Sequence, residues 1–489
     1  MNKKASIYFL FFVFILLVAT NQISIIYQKI PFTKIIDNKI HSDNDIITDT
    51  LLHRTSINKI KLTSIWNITN LTVIENKILV INRSILVSSA GVLIIKNATI
   101  KLNLSYNGEF WIEVFNKGNL TVINSTITTL NKTNRYYIKV NHGANLYIDR
   151  SEISYASISW EERDKAGIWV NTSNIIVKNS IIKNNLCGLY LVNSYNDTII
   201  GNILAHNVIS IYLESSYNNL IKDNLVENNT GPEIIGLFNS DSNTIESNTI
   251  VNNTGDTCLS LSCSENNNVY DNNISNNNHV GISLTASNNN SIFNNTIFNN
   301  YVGISVSGSY NYIFNNNVSD NKYGVGLGGS YNYVFNNTLI NNKFGIYQRG
   351  LYEYLFERIL LNSIMNWRQI PLRGNYIANN NISSNFYGIY IRSSSSNIIV
   401  DNSIGHNYYG IYLHDSCCNI IVGNKLSDNH YGIYLNNAKN NFFGRNTLNK
   451  NDYDILSEVS VIDYVIIVAL TLLIAILIWV LFTFYKRPQ

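Results

Sequence analysis

The chain has 489 residues, 45% apolar and only 14% charged, with 32 tyrosines and a formal net charge of +3. It is too apolar and aromatic for a disordered chain, and too nearly neutral for a nucleic-acid-binding surface. It is longer than an ordinary single domain unless it is a repeat array, and its five cysteines, without a CxxC, indicate neither a disulfide framework nor a zinc site.

Residues 1–20, "MNKKASIYFLFFVFILLVAT", place two lysines before the apolar run Ile7–Ala19. That run is short for a span and right for a signal-peptide core, with an uncleaved N-terminal anchor as the alternative. Residues 21–65 show no repeat and are read as a linker or cap over the open edge of a first turn.

From residue 66 to 456 the chain repeats itself. The pattern L-x-V/I-x-x-x-x-I begins at Leu71, Leu93, Leu120 and Leu146, and Ile175 carries it into a glycine series. That series runs Gly167, Gly188, Gly236, Gly281, Gly303, Gly324, Gly345, Gly388, Gly410, Gly432, with Ser210 and Cys258 filling its gaps. Most spacings are 21–23 residues, but 210 to 236 is 26 and Gly345 to Gly388 is 43. The last reads as two periods, "YEYLFERILLNSIMNW" being a degenerate turn with Trp367 in the glycine slot. An amphipathic helix, with Glu353 and Glu357 at i, i+4, is the competing reading.

After each glycine, slots one and three are aliphatic, as in Ile282 and Leu284 or Ile411 and Leu413. Period two means a strand, and a second short apolar strand follows. A period near 22 is too short for a propeller blade and lacks the leucine-rich signature. The predicted fold is all-β, a solenoid of about sixteen turns whose parallel strands stack ~4.8 Å apart.

Asparagine recurs three residues before the glycine (Asn207, Asn278, Asn300, Asn342) and nine before it (Asn272, Asn294, Asn315, Asn336, Asn379). Asparagine tolerates left-handed turns, and inward amides can bond their equivalents one turn away. The glycine is read as the residue that lets the corner bend. Cys187, Cys258, Cys263, Cys417 and Cys418 read as buried thiols, with a Cys258–Cys263 bridge as the alternative.

After a juxtamembrane linker at 457–463, an uncharged run spans Tyr464 to Tyr485. At ~1.5 Å per residue a helix of that length crosses a ~30 Å hydrocarbon core. Lys486 and Arg487 then mark 486–489 as a cytoplasmic tail, so the predicted protein is single-pass with its β-helix outside the cell membrane. Eighteen Asn-x-Ser/Thr sequons, among them Asn67, Asn124, Asn294 and Asn381, agree with a glycosylated outer location.

The unit "GIYLNNAKNNFFGRNTLNKN" and its siblings, from about Leu71 to Leu456, resemble the right-handed parallel β-helix repeats of the NosD-like family, a fold shared with pectate lyases. The resemblance implies a periplasmic accessory role linked to a transporter or to copper. Copper enters through the resemblance alone; the residues themselves indicate no cofactor.

Three groups carry candidate chemistry. Glu161, Glu162, Asp164 and Lys165, with Arg163, lie in the longest loop, and carboxylates beside a lysine suit a lyase or hydrolase. The bland reading is a solvated charged loop, as it is for Arg349, Glu353, Glu357, Arg358, Arg368 and Arg373. His406, His414 and His430, with Asp415, could bind a divalent metal if neighbouring turns bring them together; unrelated turn histidines are the bland reading. Tyr390, Tyr412 and Tyr434 should stack along an outer face with Tyr387, Tyr409 and Tyr431 at the adjoining corner, and such rings could hold sugars. Cross-strand aromatic pairing alone is the bland account. Taken together, the residues read as a membrane-anchored surface protein, more a binder than an enzyme. Its partner would be a polysaccharide, a surface layer or an envelope protein. The alternatives are a transporter-linked accessory and a carbohydrate-active lyase or hydrolase.

Overall fold

Short strands with one aliphatic and one polar face bury the aliphatic face only by stacking turn upon turn. The computed structural model describes residues 65–349 and 372–458. There the strands form three long parallel sheets of 17, 16 and 16 strands, plus one two-stranded pair. One turn supplies Val280–Thr285, Ser291–Phe293 and Thr296–Phe298, one strand to each sheet. These pair in parallel with Val302–Val306, Tyr312–Phe314 and Asn317–Ser319 of the next turn. The result is an all-β right-handed parallel β-helix of about 17 turns. Its first sheet has the longest strands in this region, and Ile282, Leu284, Ile292 and Ile297 all point into the solvent-free interior.

Asparagines line all three corners of the triangular turn. Asn316 Oδ1 accepts the Asn295 backbone N–H at 3.0 Å and the Asn295 Nδ2–H at 3.0 Å. Asn295 Nδ2 also donates to the Val269 carbonyl at 2.9 Å. The rows Asn290–Asn311–Asn332 and Asn300–Asn321–Asn342 repeat this geometry at the other corners. An interior amide without such partners would cost about 1–3 kcal/mol.

The structure corrects the expected positions in four ways. The second row is eight residues before the glycine, not nine. Asn294, Asn315, Asn336 and Asn379 instead take left-handed turns at φ 54, 55, 55 and 53°, and Asn294 and Asn379 are exposed. Only Asn272 of that set is in the row, bonding Asn295. At the next corner Asn277, not the exposed Asn278, faces inward, because that turn carries one extra residue. The recurring glycine is not a bend but a close approach: a β-carbon on Gly410 would lie 2.5 Å from the Gly432 carbonyl oxygen. Gly236 is not in that series; it pairs with Tyr212, and Ile235 with Ile211, so Ile234 fills the slot and the 26-residue spacing shortens to 24.

The segment after Arg349 is not a turn. Phe344–Arg349 pairs directly with Tyr387–Arg392, and Asn337 bonds Asn380 across 43 residues. The intervening stretch is an insertion, and Glu353, Glu357, Arg358, Trp367 and Arg368 lie outside the described residues. No Cys258–Cys263 bridge forms: Cys258 faces the interior while Cys263 is exposed at φ 50°, and Cys417 and Cys418 are exposed as well. The N-terminal run, residues 21–64 and the span Tyr464–Tyr485 also lie outside the described residues. Among the described residues no helix is long and apolar enough to cross a membrane.

One corner row begins with a carboxyl. Asp197 is 1% exposed, and its Oδ1 accepts the Ile175 N–H at 3.0 Å while its backbone N–H donates to Asn219 Oδ1 at 2.9 Å. Burial pushes its pKa up to about 7, against the opposing hydrogen bonds from Ser194 and Ile175.

Two outcomes follow for stability. Asn295→Ala strands the Asn272 N–H and the Val269 carbonyl, and should lower unfolding free energy by at least ~2 kcal/mol in a urea titration, while Asn294→Gly should change it by under ~1 kcal/mol. For Asp197 the folded form holds a proton that the unfolded form releases near pH ~4. Its stabilisation is therefore full below pH ~4 and falls away, by roughly 4 kcal/mol, as pH rises toward 7. Asp197→Asn should flatten that slope in melting curves taken across this range.

Candidate functional site on the outer face of the first sheet

Parallel register carries each outward slot of the first sheet into a column along the solenoid. One column runs through Trp169, Tyr190 and Tyr212, continues as Gly236, Ser260, Ser283, Ser305 and Gly326, then returns to rings at Tyr347, Tyr390, Tyr412 and Tyr434. A lane of small side chains therefore lies between two aromatic walls. From Tyr212 to Tyr347 is six steps of ~4.8 Å, or ~29 Å.

The first wall is built with the charged loop. Trp160 stacks on Tyr190 at 5.9 Å and meets Tyr212 edge-on at 5.8 Å. Ala166, Cys187, Tyr190 and Ile209 make a small apolar cluster beneath it, outside the main core. The loop's charges are spent on holding it down: Asp164 pairs with Lys139 at 2.7 Å, Lys165 with Glu162, and Arg163 with Glu214 at 2.8 Å. Glu214 also receives the Tyr190 hydroxyl. Glu161 is exposed, and its backbone N–H donates to Ser159 Oγ at 3.1 Å. The proposed catalytic set is thus brought together as anchors, each carboxylate but that of Glu161 facing its own cation.

The second wall is a tyrosine array. Tyr347, Tyr390, Tyr412 and Tyr434 stack at 5.5, 5.0 and 4.9 Å, and Tyr387, Tyr409 and Tyr431 stack beside them at 5.0 Å steps. Rings of one column meet the other edge-on, as Tyr431 meets Tyr434 at 5.3 Å. Tyr390 is covered by Tyr347 and Tyr412, and Tyr434 by Tyr412 and, in register on the next turn, Leu456, so both are only 8% exposed, while Tyr412 is half-buried. Burial pushes Tyr390 and Tyr409 up to about 12 and raises Tyr387, Tyr431 and Tyr434 likewise. Exposed rings occur where the sequence reading did not look: Tyr310 stacks on Tyr331 at 5.3 Å and Tyr312 on Tyr333 at 4.9 Å, at the turn into the second sheet. The repeated "SYNY" carried that signal.

The histidines are not gathered. His406 occupies a left-handed turn at φ 58°, as does Asp428 one turn on, so its neighbour in register is Asp428 rather than His430. His430 packs on Tyr408 at 4.6 Å and pairs with Asp452 at 2.6 Å. His414 lies 3.2 Å from Asp415 and 3.4 Å from the Tyr390 hydroxyl, and burial lowers its pKa. Arg349 and Arg392 are in register beside Tyr347 and Tyr390.

A right-handed parallel β-helix with one built-up face is the class these features define. A family model described as "Periplasmic copper-binding protein (NosD)" matches residues 112–302, 233–354 and 360–464, and the chain belongs to the NosD family. No curated protein sequence matches it. Among solved structures it is similar to the periplasmic alginate epimerase AlgG, at 14% identity over 78% of each chain with a TM-score of 0.39. It is also similar to the A-module of mannuronan C-5 epimerase AlgE4 of Azotobacter vinelandii, at 12% identity over 76% of this chain and 91% of that one, TM-score 0.36. The Dettilon tailspike protein matches at 15% identity over 72% of this chain and 61% of that one, TM-score 0.31.

The family description names copper, but the described donors do not fit it. Among the described residues no group of three or more His, Cys, Asp or Glu is placed to hold a metal. Both methionines, Met1 and Met365, lie outside the described residues, and the buried Cys187 and Cys258 belong to different turns.

The tyrosine array should make the fold alkali-sensitive. Folded Tyr390 and Tyr409 hold their protons above pH 10, where an unfolded tyrosine releases its own. Stability should be full below pH ~10 and fall between ~10 and 12, with tyrosinate absorbance rising together with loss of β circular dichroism.

Proposed function

We propose that this chain is an extracytoplasmic β-helix protein, held to the membrane by the Tyr464–Tyr485 run, that binds a polysaccharide along the outer face of its first sheet. The carrying observation is the lane: the half-buried Ser283, flanked one turn away by Ser260 and Ser305, which are only 4% and 5% exposed, makes a shallow polar floor between a Trp160–Tyr190–Tyr212 wall and a Tyr347–Tyr390 wall. Aromatic ends and a polar floor suit a chain of sugar rings, which present apolar faces and hydroxyl edges. Binding rather than cleavage is favoured because Glu162 and Asp164 are committed to Lys165 and Lys139. The tyrosines act as a wall with their edges outward, rather than as a row of open faces. The extracytoplasmic placement draws support from the periplasmic description of the family.

Family membership favours a second reading, a NosD-type accessory beside a membrane transporter. Purified protein that retains copper would support that reading.

The lane reading is tested by blocking it. Ser283→Tyr with Ser305→Tyr places two rings in register with each other in the middle of the lane, one slot short of Tyr347, and fills it. On a glycan array the wild type should bind at least one polysaccharide class and the double variant should lose it by tenfold or more, with unchanged circular dichroism. A wild type that binds no glycan defeats the reading.

A further inference from the structure

At the head of the lane the column changes from rings to small residues, and the first small residue is Gly236, in register with Tyr212. The space there is occupied by another side chain. A β-carbon on Gly236 would lie 2.6 Å from Glu233 Oε2 and 2.7 Å from the Tyr212 ring. Glu233 therefore folds its carboxyl back over Gly236 and against Tyr212. Ser260 Oγ, from the next turn, donates to Oε1 at 3.1 Å. Among the described residues no cation pairs with Glu233, and Oε2 receives no hydrogen bond, although desolvation makes its charge costly.

The contrast with Glu214, on the other side of Tyr212, is direct. Glu214 is neutralised by Arg163 and capped by the Tyr190 hydroxyl. Glu233 keeps an open acceptor oxygen beside the Tyr212 ring, which Trp160 meets edge-on. An acceptor next to an aromatic ring recognises a sugar that donates hydroxyl hydrogens while its apolar face lies on the ring. A uronate at this position would set carboxylate against carboxylate, with no cation paired to Glu233 to compensate.

Resting on the lane reading above, we propose that Glu233 anchors a neutral sugar residue at the Tyr212 end of the lane, so that the polysaccharide bound there is a neutral hexose polymer rather than a polyuronate. Ser260 holds the carboxyl in place, and Gly236 leaves room for the carboxyl, over which the sugar would lie.

The test uses the full-length chain in detergent and isothermal titration with two sets of probes: gluco- and manno-oligosaccharides, and oligogalacturonate with oligomannuronate. The wild type should bind a neutral set and not the uronates. Glu233→Gln, which keeps the shape and the Ser260 contact, should weaken neutral binding about tenfold, the worth of one charge-assisted hydrogen bond. Glu233→Arg should abolish neutral binding and admit uronates. Melting temperatures report whether each variant is folded. A wild type that prefers uronates, or Glu233→Gln and Glu233→Arg proteins that bind as the wild type does, overturns the role of Glu233 while the lane stands if the Ser283→Tyr/Ser305→Tyr protein still loses binding. If neither probe set binds the wild type, the lane reading falls along with it.

Discussion

An asparagine inside a solenoid has one affordable partner set: the amide and backbone of the turns above and below. That constraint fixes the rest of the molecule. It demands that successive turns superimpose at each corner, and this forces the strands into parallel register and the aliphatic side chains into continuous rows. The glycine that lets Gly410 approach the Gly432 carbonyl follows from the same demand, since a wider gap would break the amide row beside it. Where the slot holds Ser210, Ile234 or Cys258, the close approach moves to Gly231 and Gly255.

Much of this was legible in the chain. Alternation at Ile282 and Leu284 predicts a strand with one buried face, and both are buried. The errors have physical causes. In Asn294-Asn295 two adjacent residues of one type do opposite jobs, one turning the chain and one bonding inside it, and residue type cannot say which. The insertion after Arg349 is close to one period long, so spacing alone cannot tell it from a turn; only the bonding of Asn337 to Asn380 does. Gly236 misled because a glycine two residues from the slot looks like a glycine in it. The exposure of the tyrosines was invisible because the ring that covers Tyr412 belongs to the next turn, not to its own strand.

The outer face takes its logic from the inner one. Because the core fixes a single register, any outward residue is repeated into a column, and the chemistry of the face is decided by which residue types occupy consecutive slots. Rings stack and hide one another; serines such as Ser260 and Ser305 are covered by their neighbours; a single glycine admits the side chain of a neighbour, as Gly236 admits Glu233. Among the described residues no three metal donors converge, and His406, His414 and His430 stand in different columns rather than one above another.

The amide rows also have a sense of direction. Each side-chain oxygen receives the N–H of the turn made before it, as Asn316 receives Asn295 and Asn429 receives Asn407. A nascent solenoid therefore leaves the ribosome with its open bonds on the most recent turn, and every new turn arrives carrying the oxygens that close them. The order of synthesis and the order of completion coincide. At the last described turn Asn451 Nδ2 finds an oxygen within its own turn: it donates to the Asp454 carboxylate, three residues on, at 3.0 Å.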